Sequence, residues 1–185
     1  RILRRVAEVM SQRKDDMANW LSLELGKPIE QSLGEVGMAI EQFEWYAEET
    51  KRIYGNVIES RQPHGKVLIQ HEPVGVVAAF TSWNFPVVLS ARKIAPALAA
   101  GCSVILLPAG EAPGSAMAFV QCLHEAGVPK GLINLINGIP EKVSSILMDE
   151  PRVRKISLTG SIRVGKLLVE ASAKTIKRIS MELGG

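Results

Sequence analysis

The chain is expected to fold as an α/β protein built on a parallel sheet with flanking helices, preceded by two helices and a β-hairpin arm. Three observations point there. After Pro73 come five short β-rich apolar runs, at residues 74–80, 103–107, 132–136, 155–159 and 176–183, spaced about 25 residues apart with helical segments between them. The first three runs are largely apolar rather than alternating, as strands are when crossover helices cover both faces of their sheet. Before Pro73 the texture differs, with two long helical patterns and then short alternating runs around a turn.

Taken in order, Ile2, Val6, Val9, Met10, Met17, Trp20, Leu21 and Leu25 recur at helical spacing, and Gly26 and Pro28 supply the stop. A second helix is expected over residues 29–54, rich in Glu, with Phe43, Trp45 and Tyr46 for packing and Gly55 to close it. Residues 56–72 alternate around Pro63-His64-Gly65 in the pattern of a hairpin. From residue 73 the strand and helix signals alternate, which is a doubly wound, Rossmann-like arrangement of the kind that binds nucleotides. No internal repeat or low-complexity segment stands out.

With 185 residues, 46% apolar and 22% charged, the chain is long enough to bury a sizeable core and has no disordered or fibrous signature. Its net charge of +3 comes from Lys and Arg spread along the chain, so the basic patch of a nucleic-acid binder is missing and no nucleic-acid partner is expected. Cys102 and Cys122 form no CxxC pair and sit among apolar residues, which reads as two buried thiols of a reducing compartment, cytoplasmic or an organelle matrix. The least polar stretch, residues 94–110, contains Pro96, Gly101 and Pro108 and falls short of the ~20 apolar residues a membrane span needs, so no membrane partner is expected either. The sequence opens at Arg1 inside a helical pattern, and a targeting segment would lie upstream of it.

Ligands of such sheets bind beyond the carboxyl ends of the strands, so the residues after each run are the candidates. Thr81-Ser82-Trp83-Asn84-Phe85-Pro86 follows the first run, and the Asn84 amide is a neutral donor suited to a developing oxyanion. The structural alternative is a turn Asn before a helix, with Trp83 and Phe85 in the core. Thr159-Gly160-Ser161-Ile162-Arg163-Val164-Gly165 follows the fourth run; small residues at a helix start leave backbone N–H groups free for a phosphate, and Gly165 lets that helix approach its neighbour. Ser161 is equally an ordinary helix cap. Glu182 ends the last run beside Leu183, Gly184 and Gly185, either as a proton acceptor at the ligand edge or as a solvated strand-end carboxylate. Leu107-Pro108-Ala109-Gly110 offers no side-chain donor, so a nucleotide there would be held by backbone and shape. Arg92 and Lys93 stand on the helix after Asn84, where a guanidinium would pair with a substrate carboxylate or else form a surface ion pair. His64, His71 and His124 lack ligand spacing, so no metal is expected, and Ser161 lacks the GxSxG elbow of a serine hydrolase.

Five ordered motifs together resemble the aldehyde dehydrogenase superfamily: Glu72-Pro73-Val74-Gly75-Val76, Ser82-Trp83-Asn84-Phe85-Pro86, residues 93–102, Leu158-Thr159-Gly160-Ser161 and Met181-Glu182-Leu183-Gly184-Gly185. Leu25-Gly26-Lys27-Pro28, residues 44–49, residues 51–55 and Ala91-Arg92-Lys93 are similar to its succinate-semialdehyde dehydrogenase branch. The resemblance implies oxidation of a small-molecule aldehyde to a carboxylate with NAD or NADP, through a thioester on a cysteine. It casts Asn84 as oxyanion donor, Glu182 as general base and Arg92 as holder of the substrate's distal carboxylate. It places Ser82, Trp83, Leu107, Pro108, Gly110, Gly138, Gly160, Ser161 and Leu183 around the cofactor. The nucleophilic Cys of the family lies beyond the ELGG motif, and neither Cys102 nor Cys122 matches it, so the chain alone is expected to be inactive. On this reading residues 1–55 pack on the NAD(P) domain, 56–72 form an oligomerisation arm of a homo-oligomer, and 73–185 are an incomplete dinucleotide-binding domain without the catalytic domain.

Some positions depart from the family pattern. Leu107 stands where a Lys is usual and Gly110 where an acid is frequent, while Leu158 replaces Phe and Ser144 replaces Gly. Loss of the Lys removes a charge-assisted contact of about 1.5–3 kcal/mol, or roughly tenfold or more in cofactor affinity. Loss of the acid leaves NAD against NADP open. Leu107 and Gly110 also motivate a second reading, a non-catalytic protein that keeps the fold for cofactor sensing or subunit assembly.

Overall fold

A computed structural model describes residues 1–184. The first helical pattern forms two helices, α1 (Ile2–Gln12) and α2 (Lys14–Leu25), because Arg13 leaves helical geometry at φ −106°, ψ 19°. The Arg13 guanidinium is engaged by Glu125 at 2.8 Å and Asp16 at 3.5 Å;. The break lets Met10 and Met17 both be fully buried, whereas Ile2 and Trp20, read as core from spacing, face outward. Gly26 ends α2 in the left-handed conformation, φ 66°, and donates its N–H to the Ser22 carbonyl. The next helix, α3 (Ile29–Glu49), stops short of residue 54 and tightens into a 3-10 turn at Thr50–Arg52, leaving Ile53 and Tyr54 exposed. Phe43 is fully buried with its ring centroid 6.0 Å from that of Phe119. Trp45, expected to pack, is 65% exposed: at about 100° per residue it points some 200° away from Phe43, so the two cannot share one face.

The hairpin pairs β1 (Asn56–Glu59) with β2 (Lys66–Ile69), antiparallel, with Asn56 opposite Ile69. Its turn contains His64 at φ 62°. Every strand residue is exposed, so Val57, Ile58, Val67, Leu68 and Ile69 display apolar side chains that the described residues leave largely uncovered.

The five later runs form one sheet of β3 (Val76–Phe80), β4 (Ser103–Leu107), β5 (Ile133–Leu135), β6 (Val153–Thr159) and β7 (Arg178–Glu182), in the order β5-β4-β3-β6-β7 with every pairing parallel. Between them run α4 (Pro86–Ala99), α5 (Pro113–Glu125), α6 (Pro140–Asp149) and α7 (Ile162–Ala173). Within β3, Val77 and Ala79 face a core shared with α1–α5, while Ala78 and Phe80 face a second core with Leu147, Met148 and Leu168 of α6 and α7. That division explains why β3 is apolar at every position. The edge strand β7 is mostly exposed, and the run before it starts later than expected: Ile176 is a solvent-facing turn at φ 52°, and Lys177 donates to the Glu150 and Val153 carbonyls at 2.7 and 2.8 Å. Among the described residues no helix is long and apolar enough to cross a membrane, and no group of His, Cys, Asp or Glu is placed to hold a metal ion.

Candidate functional site

Strand order reverses direction at β3: the chain moves through α4 and α5 to β4 and β5 on one side, then crosses through α6 to β6 and β7 on the other. The crevice beyond the carboxyl ends of β3 and β6 is where such sheets bind ligands. A cleft of about 320 Å³ lies there, and Ser82, Leu107, Pro108 and Gly160 of the expected cofactor residues line it, together with Thr81 and Arg163. Thr81 Oγ1 is buried and has no hydrogen-bond partner among the described residues. A buried hydroxyl left alone costs about 1–3 kcal/mol, which makes Thr81 a costly residue in the wall of this cleft. A larger hollow of about 460 Å³ between α6 and α7 lies away from the strand ends and has no such atom.

Two of the helix N-termini at this edge are already occupied by carboxylates of the amino-terminal helices. Glu35 of α3 accepts from the Val87 and Val88 N–H groups of α4 at 2.9 and 3.3 Å. Glu24 of α2 accepts from Gly114 N–H, Ser115 N–H and the Ser115 hydroxyl of α5 at 2.6, 2.7 and 2.6 Å. At α7 only Ser161 intervenes, its hydroxyl accepting from Val164 N–H at 3.3 Å. Among the described residues Ser161 is the only side chain that caps this first turn, and Arg163 lines the same cleft, an arrangement suited to an anion.

The loop between β3 and α4 carries Asn84. Its Oδ1 accepts from the Ser82 hydroxyl at 2.6 Å, which leaves Nδ2 as the outward-facing donor. Trp83 and Phe85, which the turn alternative put in the core, are exposed. Glu182, at the end of β7 with a side chain 54% exposed, accepts from the Thr159 hydroxyl at 3.1 Å and has Lys93 Nζ at 3.9 Å. Because β3, β6 and β7 are neighbours and parallel, Asn84, Ser161 and Glu182 stand along one edge of the sheet. Trp83, Gly110, Gly138 and Leu183 lie at the same ends of their strands without lining the cleft. Leu183 instead packs on α7: a Cβ on Gly165 would stand 2.6 Å from its Cδ2. Arg92 is exposed on α4 and makes no ion pair among the described residues;.

Lys93, for which a surface ion pair was one alternative, turns inward instead. Its side chain is 2% exposed and donates to Ser157 Oγ at 3.2 Å. Burial lowers its pKa, Glu182 raises it, and Arg92 and Lys155 lower it further. Composition could not single it out, but a lone ammonium inside the apolar helix of residues 86–99 is a legible signal. Glu35, one of several glutamates on α3, differs from the others only in falling at helical spacing with Ser32, Val36, Ala39 and Phe43. Thr81 had none.

A family model described as "Aldehyde dehydrogenase family" matches residues 1–185. The chain belongs to the aldehyde dehydrogenase family. It is 45% identical over 183 residues to the glutarate-semialdehyde dehydrogenase of Pseudomonas putida, covering 99% of this chain and 38% of that protein. It is 45% identical over 184 residues to the succinate-semialdehyde dehydrogenase [NADP(+)] of Escherichia coli, covering 100% of this chain and again 38% of the relative. A solved betaine aldehyde dehydrogenase of Staphylococcus aureus in complex with NAD+ superposes with a TM-score of 0.96 at 33% identity, over 100% of this chain and 37% of that one. The chain thus spans 38% of the length of the curated relatives it matches. The aldehyde dehydrogenase fold is shared across the described residues, amino-terminal helices and hairpin included.

Proposed function

We propose that the chain forms the NAD(P) groove and part of the active site of an aldehyde dehydrogenase that oxidises an ω-oxo acid, succinate or glutarate semialdehyde, to a dicarboxylate. The observation that carries the reading is the cleft at the strand-order reversal, with a buried unpaired Thr81 hydroxyl in its wall and the anion-attracting end of α7 at its rim. These residues fit a dinucleotide: Thr81 and Gly160 at the strand ends, Pro108 and Leu107 as an apolar wall, and the first turn of α7 with Arg163 for phosphate. When bound, the nicotinamide accepts a hydride from the substrate carbon.

The chain's own residues supply the remaining chemistry at this edge. Asn84 Nδ2, freed by the Ser82 bond to Oδ1, donates to the aldehyde oxygen as negative charge builds there. Glu182 accepts a proton from the attacking thiol or from water; the Thr159 hydroxyl orients one of its oxygens, and Lys93 Nζ stands 3.9 Å from the other. Arg92, exposed on α4, pairs with the distal carboxylate of the substrate. Neither thiol here is a nucleophile. Burial pushes the Cys122 thiol up to about 11, and Cys102 lies at the amino end of β4, across the sheet from Asn84. The nucleophilic Cys therefore belongs to sequence outside these residues, and the chain alone does not turn over aldehyde. Residues 1–55 brace the NAD(P) domain, and the uncovered hairpin of residues 56–72 joins subunits of a homo-oligomer. Two unpaired buried thiols suit a reducing, cytoplasmic setting.

The test compares a complete polypeptide and its Arg92→Leu variant on succinate semialdehyde, glutarate semialdehyde and an aldehyde of equal length without a carboxylate. We expect Arg92→Leu to raise KM for both semialdehydes and leave the uncharged aldehyde unaffected. Preference of the unaltered enzyme for the uncharged aldehyde would overturn the substrate assignment. A second reading, a non-catalytic protein for cofactor sensing or assembly, is favoured by the buried Leu107 in the groove wall and by Gly110. Calorimetric titration with NAD and NADP separates the two, because absence of binding by both supports the second.

A further inference from the structure

The loop that carries Asn84 is anchored from the amino-terminal helices by two residues outside the cleft. Lys27 sits between Gly26 and Pro28, where α2 gives way to α3, and Glu35 lies on the buried face of α3. Their side chains form an ion pair in which Glu35 is 0% and Lys27 11% exposed. Lys27 Nζ also donates to the main-chain carbonyl of Asn84 at 2.9 Å and stands 4.1 Å from the centroid of the Phe85 ring. The second oxygen of Glu35 takes the Val87 and Val88 N–H groups, the first turn of the helix that Asn84 leads into. One ion pair therefore grips both ends of the stretch from Asn84 to Val88, which is otherwise exposed at Trp83, Asn84 and Phe85.

We propose that Lys27 and Glu35 are positioning residues for the oxyanion donor: they hold the Asn84 backbone at the height where Nδ2, with its partner oxygen engaged by Ser82, meets the substrate oxygen. The proposal rests on the reading of Asn84 as that donor. Its physical basis is that a donor on a solvent-facing loop stabilises developing charge only if it is held within about 0.5 Å of its working position before reaction. A buried ion pair is a costly way to cap a helix, since a Ser or Asp cap serves that purpose without a second ion. The ammonium reaches past Glu35 to the Asn84 carbonyl and the Phe85 ring, contacts that a cap for α4 alone does not need.

The test is a double-mutant cycle in a complete, active polypeptide, comparing Lys27→Met/Glu35→Gln, Asn84→Ala and their combination. Replacing both charges at once avoids stranding either one in the interior, and the Gln carbonyl still accepts from Val87 and Val88. We expect the Lys27→Met/Glu35→Gln protein to lose about 10- to 100-fold in kcat, as a displacement of about 1 Å does, with its nucleotide Kd within about twofold of the original. We expect Asn84→Ala to lose about 100-fold or more. In the Asn84→Ala background the paired replacement should have no further effect. An Asn84→Ala protein that is impaired while the paired replacement is harmless, or a paired loss that persists undiminished without Asn84, overturns the positioning role and leaves the oxyanion reading standing. An Asn84→Ala protein of full activity overturns the oxyanion reading itself and the proposal with it. If the paired variant does not fold, Glu35→Gln alone, which keeps the carbonyl acceptor and leaves the partly exposed Lys27 free to reach water, is carried through the same cycle and read the same way.

Discussion

Gly165 is the point at which the first turn of α7 meets Leu183, the residue that follows β7, and Gly165→Ala tests that joint. A Cβ built there stands 2.6 Å from Leu183 Cδ2 and 3.0 Å from Cδ1. Carbon atoms rest about 3.5–4.0 Å apart, so either Leu183 swings out of its place against the α6–α7 core or α7 lifts by about 1 Å. Overpacking of this kind costs about 1–3 kcal/mol. At this chain length that corresponds to a fall in Tm of roughly 2–10 °C. The helix start that bears Ser161 and Arg163 moves with it, and NAD(P) affinity is expected to drop several-fold. The assay is thermal unfolding with and without nucleotide, applied to Gly165→Ala, Leu183→Ala and the pair. Leu183→Ala should be destabilising by itself, but adding Gly165→Ala to it should have little further effect, since the clashing methyls are gone. If Gly165→Ala leaves both Tm and nucleotide binding unchanged, or if the two losses simply add, the close approach of α7 to residue 183 is not what holds the cofactor end in place.

Three further expectations follow from the same geometry. Thr81→Val removes the unpaired hydroxyl, so the free protein should keep or gain stability while nucleotide binding weakens roughly five- to tenfold, about 1 kcal/mol, by calorimetry; equal loss in both would mean that the hydroxyl is satisfied without ligand. Leu107→Lys restores a cation to the groove wall and should tighten nucleotide binding about tenfold at low salt, an increment that shrinks as salt is raised; no change would show that the side chain at this position does not reach the nucleotide. Burial lowers the pKa of Lys93, so between that lowered value and the ordinary lysine value of about 10.4 the unfolded chain binds more protons than the folded one. Stability therefore rises with pH across that window, and the penalty is in full force below it. Lys93→Met should unfold at a higher temperature than the original at neutral pH, with the gap closing as pH approaches about 10, while its activity falls because Glu182 loses its neighbouring ammonium; a gap that widens with pH would reverse the argument.

Much of the sheet was legible because period and punctuation are local signals. The run at 103–107 coincides with β4, and Gly26 ends α2 as a left-handed cap should. Errors came where two rules competed. Residues 2–25 carry one uninterrupted helical spacing, yet the chain breaks at Arg13, whose partner Glu125 is more than a hundred positions away. Ile176 has the residue type of a strand but lies before the sheet, where Lys177 must turn inward to meet two carbonyls. Asn84, Ser161 and Glu182 could be named as candidates because each follows an apolar run, which in a parallel sheet puts it at the ligand edge.

The amino-acid sequence by itself determined the class of fold, the order of its elements and the membership of a family, since hydrophobic period, turn residues and motif order all act over short stretches of chain. Only the tertiary structure decided which charges are buried and what they hold. Glu24, Glu35, Lys27 and Lys93 are ordinary surface residues by type, and each becomes a structural contact when helices far apart in sequence close on one another. The reason is that a buried charge is tolerable only beside a partner, and partners are assigned by packing across the sheet rather than by neighbours along the chain.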